Sequence, residues 1–379
     1  MIERYYDINT ELESSIFLFG ARQTGKSTLL RQQLKSAIHY DLLDGTLRRK
    51  FQKNPSLLYK TLIDKDENTV VVIDEIPEVP ELLNEVHRLI SEKNIRFVLC
   101  GSSARKLKRK GYNTLGGRAF PCFFYPLVSA ELPNLDLDRA LSVGLLPRIY
   151  LASNPQRELS SYIDVYIKEE IQQEAIVRNL DGFQRFLEVA ALTNGEIINY
   201  SNIASDCGIS AVTVKEYFSI LQDTLIGYQI PAYRKVIKRK LTQAPRFYFF
   251  DTGIVNHLLH RETVSPGTPE YGHSFEQFII MELKAYMGYH HKREELSYWH
   301  TYTGQEVDIV IGDAQIAIEV KSTEDVQRKH LGGLKDFAEE HPACRKILVS
   351  RDIISRKEGD IEILYVHDFL QLLWNNKLF

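Results

Sequence analysis

The chain has little cysteine and no spacing that would put it to use. Cys100, Cys122, Cys207 and Cys344 are scattered over 379 residues without a C-x-x-C pair. That excludes a disulfide framework and a cysteine zinc site, and reduced, packed thiols are expected. Long apolar runs are also lacking. No stretch reaches the length of a membrane span, and the first residues, Met-Ile-Glu-Arg-Tyr-Tyr-Asp, lack a signal peptide's apolar core. The expectation is a cytoplasmic protein with no membrane partner. There is no excess of either charge, since 47 Lys and Arg against 50 Asp and Glu give a net charge of −3. Any nucleic-acid surface must therefore be local. What remains, 44% hydrophobic and 26% charged residues, is ordinary globular composition, and the length calls for two or three domains.

A short apolar run leads into a glycine-framed loop, residues 15 to 28 reading Ser-Ile-Phe-Leu-Phe-Gly-Ala-Arg-Gln-Thr-Gly-Lys-Ser-Thr. A triphosphate is held by a backbone bent so tightly that successive N–H groups converge on its oxygens, and Gly20 and Gly25 permit that bend. Gly20, Ala21, Arg22, Gln23, Thr24, Gly25, Lys26, Ser27 and Thr28 are thus the expected ATP-binding set. Lys26 reaches the β- and γ-phosphates, Ser27 offers its hydroxyl to Mg2+, and residues 28 to 36 continue as a helix whose N-terminus faces the anion. The acidic half is expected at residues 69 to 75, Thr-Val-Val-Val-Ile-Asp-Glu. Its β-branched run reads as a strand buried on both faces. Asp74 at its end is placed to hold Mg2+ through water, and Glu75 to polarise the water that attacks the γ-phosphate.

Strands are expected near 15–20, 38–42, 69–74, 95–101 and 120–126, with helices between them. That is an α/β unit, a parallel sheet covered on both faces, with its ligand at the C-terminal strand ends. The fourth strand delivers Ser102 and Ser103 to the same edge, where a polar side chain senses the γ-phosphate or orients water. Serine after glycine is equally good turn chemistry. Arg118, between a glycine pair and the fifth strand, is a candidate arginine finger toward a neighbour's nucleotide, and a homo-oligomer is the expectation that goes with it.

Residues 155 to 190 lack a strand pattern and read as a helical linker or lid. Tyr200 to Cys207 with Ser201 as N-cap, the turn Gly208-Ile-Ser210, and Ala211 to Leu221 form a helix-turn-helix pattern. Two extended runs between Ile226 and Phe250 flank a basic stretch, so the whole reads as a winged helix. Lys215, with Arg234, Lys235, Lys238, Arg239 and Lys240 on the wing, can neutralise DNA phosphates locally. Winged helices also serve as protein-binding modules.

After a turn-rich linker, a helix from Phe275 to Tyr286 carries Glu276. The runs Gly304-Gln-Glu-Val-Asp308-Ile-Val-Ile311 and Ala314-Gln-Ile-Ala-Ile-Glu319-Val-Lys321 form an expected hairpin. On it Asp308 and Glu319 converge as hard oxygen ligands for Mg2+ or Mn2+, and Lys321 shares the face of Glu319.

At these residues the chain resembles bacterial and archaeal ATP-binding proteins that join an AAA-type ATPase to a domain of unknown function numbered 4143. The resemblance rests on Gly20-Ala-Arg-Gln-Thr-Gly-Lys-Ser27, Val72-Ile-Asp-Glu75, Gly101-Ser-Ser103, Gly116-Gly-Arg118, Gly144-Leu-Leu-Pro147, Phe247-Tyr-Phe-Phe-Asp-Thr-Gly253, Gly304-Gln-Glu-Val-Asp308 and Glu319-Val-Lys321. It implies a P-loop NTPase of the AAA/ASCE type and a last portion similar to a PD-(D/E)XK nuclease fold, with Glu276, Asp308, Glu319 and Lys321 as its core. The expected domains are a P-loop ATPase (1–150), a linker or lid (151–190), a winged helix (191–262) and a nuclease-like domain (270–379). The leading expectation is a Mg2+-dependent ATPase acting on branched or junction DNA. The alternatives are a regulatory or signalling ATPase whose C-terminal parts bind protein, and an ATP-gated, metal-dependent DNA nuclease.

Overall fold

In the computed structural model, which describes residues 2–102, 115–167, 180–233 and 244–379, the early apolar runs become one sheet. Its strands are β1 (Ser15–Phe19), β2 (Ile38–Asp41), β3 (Val70–Asp74), β4 (Arg96–Gly101) and β5 (Ala119–Phe123). They lie in the order β2-β3-β4-β1-β5, and every neighbouring pair is parallel. The α/β class and the five strand positions expected from the sequence are found here. β1 is buried along its whole length, as a strand covered on both faces must be. Because β4 lies between β1 and β3, the ends of all three emerge at one edge, where parallel sheets bind ligands. Leu82, Leu83, Val86 and Leu89 of the helix Leu82–Lys93 share a core with Phe17, Val71, Ile73 and Phe97 of the sheet. Their spacing is that of one helical stripe.

The chain divides into two units, Met1–Leu127 with Asp223–Leu225, and Val128–Gln222 with Ile226–Phe379. In the second unit the linker region contains a helix, Pro155–Ser160, a π-helical stretch, Ser161–Ile167, and a later helix, Leu180–Leu192. Helices Tyr200–Cys207 and Ala211–Asp223 follow, joined through Gly208 at φ 65°. The cap of the first is Asn199, one residue before it, which accepts from Ser201 N at 3.2 Å and Asn202 N at 3.1 Å. Ser201, expected as the cap, is instead a first-turn donor to that carbonyl. Phe186 packs tilted against Tyr217 and edge-on against Phe218 across these helices, and the Phe218 ring lies 4.8 Å from that of Phe247. Phe247 belongs to β7 (Arg246–Phe249), which pairs antiparallel with β6 (Gly227–Ile230).

The last third forms a six-stranded sheet in the order β12-β13-β11-β10-β9-β8. Its members are β8 (Leu296–His300), β9 (Glu306–Ile311), β10 (Ile316–Lys321), β11 (Arg345–Ser350), β12 (Arg356–Glu358) and β13 (Ile361–Tyr365). The expected β9–β10 hairpin is antiparallel, whereas β11 runs parallel to β10 after the helix Gly332–Glu340.

Two of the motifs quoted above meet inside this unit. Asp251 is fully buried and accepts from Leu145 N at 2.7 Å and from Gly253 N at 2.9 Å, capping the helix Thr252–Leu258. Burial raises its carboxyl to about 6. Gly144, at φ 80°, leaves the space that carboxylate occupies, since a Cβ there would lie 1.7 Å from Asp251 Oδ1. Gly144→Ala therefore combines a disfavoured backbone with a clash against an anchored side chain. A loss of about 3 kcal/mol or more in urea unfolding is expected, and a loss below about 1 kcal/mol would mean that the loop is not held by this contact.

Candidate functional site

The loop after β1 is built as a phosphate cradle needs. A Cβ on Gly20 would meet Phe124 O at 2.4 Å, so the backbone passes too close to the end of β5 for any side chain. Gln23 and Gly25 take left-handed conformations, φ 61° and 100°, which turn the chain into the helix Lys26–Gln33. Lys26 is only 6% exposed, and its Nζ donates to Gly20 O at 2.5 Å and Ala21 O at 3.0 Å. Burial lowers its pKa, against the pull of Glu75, Cys100 and Asp74. Thr24 is buried, with its hydroxyl on Ala21 O. Ala21 is buried as well, Arg22 and Ser27 are partly so, and Thr28 is exposed.

Ser27 Oγ donates to Asp74 Oδ2 at 2.6 Å, joining the loop to the end of β3. The other carboxylate oxygen accepts from Glu75 N at 3.1 Å, and Glu75 itself sits at φ 55°, ψ 48°. A left-handed non-glycine residue at a strand end is costly and is found where the backbone must aim a side chain. A serine hydroxyl and a carboxylate held together are a hard-oxygen pair suited to Mg2+. Ser102 is buried at the end of β4, beside these groups in strand order. Ser103 lies outside the described residues. Arg118 is exposed, its N–H bonded to Leu115 O at 3.0 Å across the turn formed by Gly116 and Gly117.

Arg4 is a positioning residue that the sequence reading missed. Its guanidinium donates to Thr24 O at 2.6 Å, Tyr125 O at 2.9 Å and Pro126 O at 3.0 Å, and stacks on Phe124 at 4.1 Å. It ties the phosphate loop to the chain leaving β5. The only local trace is a basic residue beside two tyrosines, which carries no signal of a contact twenty residues away.

The acidic residues of the second unit also come together. The β9–β10 register, continued by one residue, sets Asp308 opposite Glu319, and Asp308 Oδ2 accepts from Val320 N at 2.8 Å. Lys321 Nζ is 2.6 Å from Glu319 Oε1 and 3.9 Å from Asp308 Oδ2. Glu276, on the long helix Pro269–Tyr289, accepts from Tyr248 OH at 2.5 Å. That helix is seated on β7 by a buried amide pair: Asn194 donates to Gln277, Gln277 donates to Phe249 O, and Phe249 N donates to Asn194. Arg246 was not singled out from the sequence, yet its guanidinium reaches Glu276, Glu306 and Asp308. Alternation along β7, Arg246 then Tyr248 on one face, is the signal that was available.

Burial, followed by the charge of Asp308, raises Glu276 to about 7 and Glu319 to about 8. Lys321 is held above its ordinary range because Asp308 and Glu319 outweigh the effect of burial. Carboxyls raised in the fold keep protons that the unfolded chain releases above about pH 4.5, so stability falls as pH rises toward about 8. We expect a lower denaturation midpoint at pH 8.5 than at pH 6 in EDTA, and a smaller drop in Asp308→Asn, which removes the neighbouring charge. A midpoint that rises with pH would contradict the sign.

Lys215 is exposed, with Nζ over the Tyr200 ring at 5.2 Å. Arg234, Lys235, Lys238, Arg239 and Lys240 lie outside the described residues. All four cysteines are buried and free, and no described helix is long and apolar enough to cross a membrane.

Comparison with known proteins agrees with the nucleotide loop. Residues 13–132 match the family described as AAA domain, residues 134–265 the Domain of unknown function (DUF8612), and residues 271–369 the Domain of unknown function (DUF4143). Two uncharacterized mycobacterial proteins, one of Mycobacterium tuberculosis and one of Mycobacterium bovis, are each 23% identical over 334 residues. The similarity covers 85% of this chain and 74% of each relative. An AAA domain suggests ATPase activity and nucleotide binding, usually with Mg2+.

Proposed function

We propose that the chain is a Mg2+-dependent ATPase that acts on DNA. The observation that carries the nucleotide part is the 2.6 Å bond between Ser27 and Asp74 beside the buried ammonium of Lys26. Mg2+, held by Ser27 and Asp74, would neutralise charge on the nucleotide's phosphates. Lys26 exchanges its two loop carbonyls for phosphate oxygens, and the loop N–H groups converge on the same anion. Ser27 and Asp74 hold the hard-oxygen side of the site, while Glu75 takes up the proton of the attacking water. Ser102 and Ser103 orient that water or sense the γ-phosphate, and Arg118 completes a neighbour's site in a homo-oligomer.

The DNA part rests on the helix pair Tyr200–Cys207 and Ala211–Asp223 followed by the β6–β7 pair, an arrangement that suits a winged helix. Lys215 and the basic stretch 234–240 supply its phosphate contacts. In the last unit Glu276, Asp308 and Glu319 would hold a divalent ion in a PD-(D/E)XK-like arrangement, and Lys321 would face an incoming phosphate. Metal-dependent cleavage is the second reading, favoured by Lys321 lying against both Asp308 and Glu319. The test is binding and ATP turnover with single-stranded, duplex and four-way-junction DNA over a range of salt. Neutralising Lys238, Arg239 and Lys240 together should weaken binding and flatten the salt dependence, because fewer counterions are released. Unchanged affinity and slope would leave that stretch as a solvated surface.

A further inference from the structure

Arg246 stands among the carboxylates proposed above as metal ligands. Its Nη2 is 3.0 Å from Glu306 Oε2, and its Nη1 is 3.5 Å from Glu276 Oε1 and 3.9 Å from Asp308 Oδ1. The side chain is 8% exposed and lies over the Tyr298 ring at 4.7 Å. Its backbone is fixed by pairing with Ile230 and by a bridge to Ile197. A planar guanidinium with several fixed donors is suited to spanning three carboxylates at once, which a lysine's point charge is not.

The carboxylates stand around that cation, with Lys321 beside Asp308 and Glu319. A divalent ion draws oxygens to within about 2.0–2.6 Å of itself. Among the described residues, the ligand atoms of Glu276, Asp308 and Glu319 do not all lie within 4.8 Å of one another. The cluster nevertheless retains unused acceptor capacity, because Glu319 Oε2 is buried with no hydrogen-bond partner. Gly333 faces the same oxygen, a Cβ there falling 3.7 Å from it and 1.9 Å from Glu306 O. The space beside Glu319 is thus bounded by a residue without a side chain.

We propose that Arg246 is a built-in competitor for the divalent cation: the guanidinium and a Mg2+ or Mn2+ ion contend for the same oxygens of Glu276 and Asp308, and the ion binds by displacing it. This rests on the metal-binding reading given above and adds a residue from outside the segment that supplies the carboxylates. Arg246 falls in the region matched by DUF8612, whereas Glu276, Asp308 and Glu319 fall in the region matched by DUF4143. Withdrawal of β7 would therefore raise the affinity of the cluster for metal without altering a single ligand.

Isothermal titration of the nucleotide-free, 379-residue chain with MnCl2 tests this. Arg246→Met should bind Mn2+ about tenfold or more tightly than wild type, a gain of about 1.4 kcal/mol or more, with Arg246→Lys between the two. Asp308→Asn, alone and combined with Arg246→Met, should abolish the heat assigned to the cluster. Equal or weaker binding by Arg246→Met, with wild-type circular dichroism and melting, would overturn the competition while leaving the metal reading intact. Should Arg246→Met fail to fold, Arg246→Lys decides, and wild-type affinity in that variant overturns the proposal. Absence of Mn2+ binding in wild type and in both folded Arg246 variants would instead refute the metal site itself, and the competition with it.

Discussion

Glu75→Gln protein binds ATP as wild type does and loses turnover by about 10²- to 10⁴-fold, whereas Lys26→Ala loses the binding itself. In the proposed mechanism the two residues act at different stages. The Lys26 ammonium is buried in the loop against two carbonyls, and in the proposed mechanism it would make a charge-assisted bond to phosphate as soon as nucleotide arrives. Its removal costs about 1.5–3 kcal/mol for each such bond, enough to weaken affinity by at least tenfold. Glu75 is fixed by a left-handed backbone at the end of β3, next to the aspartate that holds Ser27. Glutamine keeps that shape but cannot accept a proton from water. Fluorescent-nucleotide titration and phosphate release separate the two phenotypes. Wild-type turnover by Glu75→Gln would move the base to another residue.

Glu282→Ala destabilises the second unit by about 3–5 kcal/mol. The side chain is 1% exposed, and all of its hydrogen bonds are to buried or half-buried donors. Oε1 accepts from Ser129 N at 2.8 Å, and Oε2 accepts from Ser129 Oγ at 2.8 Å and Trp374 Nε1 at 2.6 Å. Alanine removes the acceptor that these three donors share. Glu282→Gln recovers only part of the loss, because its amide nitrogen would face the indole N–H of Trp374, two donors against each other. Urea unfolding measures both. A loss under about 1 kcal/mol for alanine would show that water replaces the carboxylate at little cost.

What was legible in the sequence is what is local. The run Val70–Asp74 had to be a strand buried on two faces, and a glycine-framed loop after an apolar strand had few other uses. Asp308, Glu319 and Lys321 could be set on one face by the period of a hairpin alone. Contacts between distant segments were not legible. Arg4 meets Tyr125 across 121 residues, and Glu282 meets Ser129 across 153, with no periodicity linking either pair. Arg246 was hidden for a related reason. It lies in a strand read only as an extended run, and the packing of the helix Pro269–Tyr289 on β7, together with the approach of the β9 carboxylates Glu306 and Asp308, brings it to the acidic cluster. At Asn199 the competition was closer still, since an asparagine and a serine both cap well and two residues decide which one does.

Whether the chain is a Mg2+-dependent ATPase that acts on DNA is decided by phosphate release from ATP by the purified chain, with Mg2+ and then with EDTA, alongside Lys26→Ala protein. Turnover is expected to require Mg2+, to be absent in the Lys26 variant, and to rise when DNA is added. Lack of phosphate release in Mg2+ with or without any form of DNA, or release that survives both EDTA and the loss of Lys26, would contradict that function.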